Sequence, residues 1–308
     1  MKLLEELIAI KGASSDEVKI KSFILSYIKK EQKNWKVTPV ILDGEEYQDN
    51  FILVFGKPRT AVYAHIDTIG FTVGYDNHLI KIGGPRLIDE TKLVGIDEEG
   101  NELETELMLI EGEDGSQSAN CVCDPPLARG TILTFKPDFR LTDDYVQSPY
   151  LDNRLGVYIA LKLAETMENG AIVFSTYEEH GGNSVAFCAR QLFDKYEVRQ
   201  ALISDITWVT EGVQHGDGVA ISMRDSGLPR RKYLNRIIAL AEESGIPFQL
   251  EVESAGGSDG TMLQKSDLLI DWCFIGAPED NVHSPDEKVY LTDIESMLKM
   301  YQYLMANL

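Results

Sequence analysis

The spacing of hydrophobic positions predicts an α/β fold. LLEELIAI, near the N-terminus, has helical spacing, and a second helix follows with Ser14 or Ser15 as its N-cap. Two apolar runs, NFILVFG and TAVYAHID, then predict buried strands. From residue 149 onward, helical and strand patterns alternate to the end of the chain. Such alternation favours a mixed, largely parallel sheet with helices on both faces.

The middle of the chain has a different pattern. Residues 69–148 contain short, partly alternating segments that are broken by Gly, Asp and Asn. EEGN, at residues 98–101, is typical of a hairpin turn. We therefore expect a small all-β domain over 69–148, inserted into a discontinuous catalytic domain made of 1–68 and 149–308.

Composition narrows the classes of partner. The chain has 308 residues and a formal net charge of −21, which disfavours nucleic acid and anionic membranes as partners. No apolar run approaches the roughly 20 residues of a membrane span, and the N-terminal pattern resembles a helix more than a signal peptide. The four cysteines lack the spacing of a structural zinc site, so we expect free thiols and a cytoplasmic location.

Carboxylates and imidazoles follow the predicted strands or begin the next helix. Ligands of open sheets bind beyond the carboxyl ends of the strands, where these side chains are expected to meet. Taken singly, each has an ordinary explanation as an N-cap, a turn or loop residue, or a core histidine. The residues are His65, Asp67, Asp152, Glu178, Glu179, Asp205 and His283.

Together these residues favour a metal site. Buried anions are costly unless they are paired, and Arg154 is the one cation adjacent to this set in sequence. Two divalent ions would supply the missing positive charge. Nitrogen and oxygen ligands without thiolate suit zinc first, with cobalt or manganese as alternatives.

Two of the acids are predicted to act beside the metal ligands. His65 and Asp67 are two residues apart on a strand and face the same side, so Asp67 can accept the second imidazole N–H of His65. One of the adjacent pair Glu178 and Glu179 can bind metal, while the other accepts a proton from the attacking water.

The motifs in order resemble one enzyme family. AHIDTIGF, LDNRLG, TYEEHG, LISDIT and NVHSPDE are similar to the metal and base motifs of the tetrahedral aminopeptidases, also called glutamyl aminopeptidases. The resemblance implies a dinuclear metal-dependent aminopeptidase that acts on short peptides and assembles into a homo-oligomer, with the insert as the contact region. It further implies that Asp152 bridges two ions, that Glu178 is the general base and that Asp67 orients His65. In this scheme His65 and Asp205 complete one ion's ligands, and Glu179 and His283 the other's.

Several positions depart from the family pattern. Thr68 replaces a usual Glu, Asn153 replaces an Asp, and Asp280-Asn281 replaces Arg-Tyr. SAGGSDGTM resembles a glycine-rich turn of the family, which implies that Gly257 and Asp259 lie near the substrate, although a structural turn explains it equally well. Two other functions remain open: an N-acyl amino acid deacylase or carboxypeptidase-like amidohydrolase, and a degenerate member that binds peptide without catalysis.

Overall fold

The computed structural model describes residues 1–182 and 184–308. The helices are α1 (Lys2–Ile8), α2 (Val18–Glu31), α3 (Leu151–Ala164), α4 (Val185–Tyr196), α5 (Arg231–Ser244), α6 (Asp259–Lys265) and α7 (Leu291–Asn307). The first strands are β1 (Val40–Leu42), β2 (Phe51–Phe55), β3 (Thr60–His65), β4 (Gly70–Val73), β5 (Leu79–Ile82), β6 (Lys92–Ile96), β7 (Glu102–Glu111), β8 (Gln117–Cys121) and β9 (Ile132–Phe135). The others are β10 (Arg140–Leu141), β11 (Tyr145–Gln147), β12 (Gly170–Ser175), β13 (Gln200–Trp208), β14 (Val219–Arg224), β15 (Phe248–Val252), β16 (Asp271–Asp280) and β17 (Lys288–Tyr290).

The predicted mixed α/β architecture is confirmed. A large sheet has the strand order β1-β2-β12-β3-β13-β16-β17-β11-β10, and β14 and β15 extend it from β16. Its centre is parallel, because β3 pairs in parallel with β12 and β13, and β13 pairs in parallel with β16. The carboxyl ends of these four strands therefore lie at one edge of the sheet.

Both faces of the large sheet are covered, as the alternation along β2 illustrates. Phe51, Leu53 and Phe55 pack into the cluster formed with α1, α2, α3, α5 and α7, whereas Ile52 and Val54 pack into the cluster formed with α4 and α6. Every residue of β2 is buried, as expected for a strand between two helical layers.

A second sheet lies in the middle of the chain. It has six strands in the order β5-β4-β9-β6-β7-β8, all antiparallel, with its own apolar cluster that includes Phe71 and Leu133. EEGN forms the predicted turn between β6 and β7. This sheet ends at Phe135, and β10 and β11, although within the range 69–148, pair in the large sheet.

The predicted N-cap of the second helix is wrong. Helix α2 begins at Val18 with Glu17 at its N-cap position, and no side chain caps it. The Ser14 hydroxyl instead donates a 2.6 Å hydrogen bond to the Asp67 carboxylate. Competition from a buried acid that is distant in sequence explains the difference.

Within the described residues, no helix combines the length and the apolar content required to cross a membrane.

Candidate metal centre

The predicted ligands come from different elements that end at one edge of the large sheet. His65 is the last residue of β3 and pairs beside Ser175, the last residue of β12. Glu178 and Glu179 follow β12 within three to four residues, and Asp205 lies on β13. The loop after β16 supplies His283, and the first turn of α3 supplies Asp152. The parallel centre of the sheet thus gathers side chains that are far apart in sequence.

Asp152 is shared by two groups of ligand atoms. His65 Nε2 lies 3.2 Å from Asp152 Oδ1 and 3.6 Å from Asp205 Oδ2. On the other side, His283 Nε2 lies 3.2 Å from Asp152 Oδ2 and 3.2 Å from Glu179 Oε2. In each group the three ligand atoms lie within 4.8 Å of one another. The structure therefore brings together all five predicted ligands, with the predicted bridging acid between the two groups.

Glu178 stands beside the first group. Its Oε2 atom is 3.9 Å from His65 Nε2, and its side chain remains 17% exposed, compared with 3% for Glu179. It also lines the cavity that opens onto the centre. A carboxylate so placed can reach both a ligand site and a bound substrate.

Asp67 contacts both His65 and the loop that carries the glutamate pair. His65 Nδ1 lies 3.4 Å from Asp67 Oδ1 and 3.2 Å from the Asp67 backbone carbonyl. The two Asp67 oxygens also accept the backbone N–H groups of Glu178 and Glu179, at 3.1 and 3.2 Å. Because Asp67 is fully buried, these contacts fix the two acids as well as the imidazole.

Glu287 is a buried positioning residue that the sequence analysis missed. It accepts the backbone N–H of His283 at 2.9 Å and that of Asp152 at 3.1 Å. His283 has a left-handed backbone, with φ of 64°, which is unfavourable for a residue with a side chain. The Glu287 carboxylate stabilises this conformation. The residue lies within NVHSPDE, only four positions after His283, so the motif itself contained the signal.

A glycine loop between β5 and β6 packs against the centre and was also missed. The Gly83 N–H donates to His180 Nδ1 at 3.2 Å, and the Arg86 N–H donates to the His283 carbonyl at 2.8 Å. A Cβ atom on Gly84 would lie 2.9 Å from His283 Nδ1. The second sheet thus contributes a close backbone approach to one ligand histidine.

The electrostatics of the centre are dominated by its carboxylates. Burial disfavours the charged imidazolium of His65, but Asp205 and Asp152 raise its pKa well above the usual value. Burial has the same effect on His283, whose pKa Asp152 and Glu179 nevertheless raise to about 11. Burial, and then the charge of Asp152, raise the pKa of Glu179 to about 7. The site therefore favours added positive charge.

The donor atoms fit divalent metal ions. Two buried atoms, His65 Nε2 and Glu179 Oε1, make no hydrogen bond within the described part of the chain. Both atoms are on residues of the two ligand groups, and both groups contain nitrogen and oxygen donors only. Cysteine is not among them, so the set suits zinc, cobalt or manganese.

The centre opens into a cavity of about 340 Å³. Gly257 lines this cavity, as does Glu178. Asp259 is buried next to Ser175, whose hydroxyl donates to it at 2.5 Å. Burial raises the pKa of Asp259 to about 7.

Comparison with known proteins identifies the family. The sequence model of the M42 glutamyl aminopeptidase family matches residues 98–300, which is well over half of the chain. The chain belongs to that family. As a member of the M42 family, the protein is a metal-dependent aminopeptidase, a hydrolase that acts on peptide bonds.

Individual relatives are similar to this protein over almost the whole length of the chain. A provisionally named aminopeptidase of Acetivibrio thermocellus is 27% identical, covering 97% of this chain and 96% of that protein. An aminopeptidase of the archaeon Desulfurococcus kamchatkensis has a TM-score of 0.86 at 19% identity, covering 100% of this chain and 94% of that chain. The TET1 peptidase of Pyrococcus horikoshii, which can assemble into a tetrahedron or a large octahedral shell, has a TM-score of 0.82 at 22% identity. That match covers 100% of this chain and 99% of the Pyrococcus chain, and at such identities the structural similarity establishes the fold.

Proposed function

We propose that this aminopeptidase is dinuclear, with two divalent ions per subunit and zinc as the first expectation. His65 and Asp205 would hold one ion, Glu179 and His283 the other, and Asp152 both. The observation that carries this proposal is the shared Asp152, whose two oxygens each lie 3.2 Å from a different imidazole. When bound, such ions would activate a water molecule and polarise the scissile carbonyl of a peptide.

In this proposal Glu178 is the general base. Its carboxylate accepts a proton from the attacking water and delivers that proton to the departing amine. Asp67 acts as a positioning residue, because it holds the backbone of Glu178 and contacts the imidazole of His65. Glu287 positions Asp152 and His283 in the same manner. This proposal is supported by the hydrogen bonds that both buried acids accept from backbone N–H groups of ligand or base residues.

The substrates are proposed to be short peptides with a free N-terminus. The cavity of about 340 Å³ lies at the lower end of the usual range for small-ligand sites, which suits one N-terminal residue. We place Gly257 in contact with substrate, because it lines this cavity. Asp259 is also proposed to lie near the substrate, because its neighbour Ser258 lines the cavity.

We propose that the segment 69–148 is a β-rich inserted domain and that it mediates homo-oligomerisation. Its six-stranded sheet has a separate apolar cluster, and the Pyrococcus relative assembles into closed shells. Light scattering tests this, and a monomer mass would overturn it. We also propose a cytoplasmic location, which the four free thiols support because disulfides are rare there.

The test of the proposed activity compares free and blocked substrates. The metal-free protein is titrated with zinc, cobalt or manganese, and turnover of aminoacyl-anilides is compared with turnover of N-acylated amino acids. We expect metal-dependent turnover of the aminoacyl compounds. Turnover of the blocked compounds alone would instead favour a deacylase, and metal binding without turnover of either would favour a degenerate member.

A further inference from the structure

The wall of the cavity away from the ligand groups is acidic. Asp225, Glu251 and Glu253 line it in addition to the carboxylates of the metal centre, and the described lining contains neither lysine nor arginine. Trp208 and Phe274 line the same cavity and provide apolar surface. A ligand that enters this space therefore meets apolar side chains and a second group of carboxylates.

Strand β15 buries its charged residue and exposes the apolar residues beside it, which is the reverse of an ordinary edge strand. Leu250 and Val252 point outward and are 43% and 63% exposed, whereas Glu251 between them is 2% exposed. Neighbouring residues on a strand face opposite sides, so the strand places apolar groups in solvent and a carboxylate inside. Exposed apolar groups and a buried carboxylate both destabilise the folded protein, and a ligand-binding role of Glu251 in the cavity would account for this cost.

Glu251 has one oxygen free to bind a ligand. The Thr207 hydroxyl donates to Glu251 Oε1, while Oε2 accepts no hydrogen bond from the part of the chain that the structure describes. Burial raises the pKa of Glu251, the hydroxyls of Thr207 and Ser222 lower it in part, and the charges of Glu253 and Asp225 raise it again. Over residues 1–182 and 184–308, none of these three acids forms an ion pair. The structure thus contains a nearly buried carboxylate in the wall of the substrate cavity, which a hydroxyl group stabilises but which no cation neutralises within the described residues.

The position of Glu251 indicates which part of a substrate it would meet. Thr207, which holds Glu251, lies two residues beyond the ligand Asp205 on β13, a separation of about 7 Å along a strand. The α-amino nitrogen of a substrate is roughly 2.5 Å from its scissile carbonyl carbon, well short of this separation, so we assign Glu251 to the substrate's side chain and not to its α-amino group. A lysine ammonium extends about 6 Å from its own Cα, and an arginine guanidinium extends further.

We propose that Glu251, assisted by Glu253 and Asp225, binds the side-chain cation of an N-terminal lysine or arginine. The enzyme would accordingly be an aminopeptidase selective for basic residues, with Trp208 and Phe274 packing against the aliphatic stem. This proposal rests on the proposed function, since it assumes that the substrate carbonyl lies at the metal centre.

The test compares lysyl and norleucyl p-nitroanilides, because norleucine retains the stem of lysine without its ammonium. For the zinc-loaded enzyme, kcat/KM is expected to favour the lysyl compound by on the order of tenfold to a hundredfold. Glu251→Gln is expected to remove most of that ratio. Glu242→Gln, at an exposed position of α5, serves as the matched control and retains the ratio. A ratio measured within each variant is insensitive to the fraction of folded protein.

A binding measurement complements the kinetics. L-Lysine is expected to inhibit the wild-type enzyme more strongly than L-norleucine by a similar factor, which is measured without any variant. A lysyl-to-norleucyl ratio of one or below, or a ratio unchanged in Glu251→Gln, would overturn the inference while the aminopeptidase assignment stands. If the metal-loaded protein hydrolysed none of the aminoacyl compounds, both proposals would be overturned.

Discussion

Replacing Asp67 with Asn tests how the metal centre is held in place. The Asp67 carboxylate accepts hydrogen bonds from the Ser14 hydroxyl at 2.6 Å and from the N–H groups of Glu178 and Glu179 at 3.1 and 3.2 Å. It also interacts favourably with the buried guanidinium of Arg154, whose pKa it helps to maintain against burial. The substitution conserves shape but removes the charge and one acceptor.

The expected loss of stability follows from counting these hydrogen bonds. Oδ2 of Asp67 receives Ser14 and Glu179, whereas Oδ1 receives Glu178. An Asn oxygen in the Oδ2 position keeps two of the bonds, while its NH₂ group faces the Glu178 N–H. The variant therefore loses at least one hydrogen bond to a charged group, and we expect unfolding to become easier by about 2–4 kcal/mol. Metal affinity is expected to fall by about 10–100-fold, as is typical for residues behind metal ligands.

Two assays check these numbers. Denaturant unfolding in EDTA gives the free energy of unfolding without metal, and competition with a chromophoric chelator gives zinc affinity. Ser14→Ala should produce a smaller loss of stability, since it removes one of the three bonds but leaves the charge of Asp67 in place beside Arg154. Asp194→Asn, at an exposed position on α4, is the control. Wild-type stability and wild-type zinc affinity in Asp67→Asn would refute the reasoning.

Three further predictions each concern a single substitution. Glu178→Gln should lower kcat by about 10²–10⁴-fold while metal analysis shows unchanged zinc content, and turnover within tenfold of wild type would show that the base is another group. Burial raises the pKa of Glu17 from 4.5 to about 7, so ionising this carboxyl destabilises the folded protein. The destabilisation grows as the pH rises through that interval. Glu17→Gln should therefore stabilise the metal-free protein by up to about 3 kcal/mol at pH 8 and by little at pH 4.5, as measured by urea unfolding; equal gains at both pH values would contradict this. Gly84→Ala places a methyl group 2.9 Å from His283 Nδ1 and should weaken zinc binding, whereas Gly212→Ala, with open space around it, should not; equal affinities would argue against the close approach.

The elements that the sequence predicted well are those with a strong local pattern. The apolar runs of β2, β3 and β12 are long enough to be buried between two helical layers wherever they pair. Strand β15 has its one charged residue, Glu251, inside and two apolar residues, Leu250 and Val252, outside, so its pattern does not indicate a buried face. Helix α6 begins within a glycine-rich segment, and its burial against Trp272 arises only from tertiary packing. Neither element was predicted.

The same contrast applies to the site. The ligand positions were predictable because parallel strands bring their carboxyl ends together, and all but Asp152, which begins helix α3, lie at or near such an end. The supporting residues act through backbone N–H groups, through another buried side chain, or from another sheet. Glu287 binds two N–H groups, Ser14 reaches Asp67 across 53 positions, and Gly84 matters for the side chain it lacks. Such contacts leave no periodic signal in the sequence.

The most direct measurement is the anomalous scattering of crystals grown with zinc, recorded on both sides of the zinc absorption edge. Our account predicts two zinc peaks per subunit, both bonded to Asp152 at about 2.0–2.2 Å. One peak should also contact His65 and Asp205, and the other Glu179 and His283. A single peak, or a pair of peaks that does not share Asp152, would contradict the dinuclear assignment.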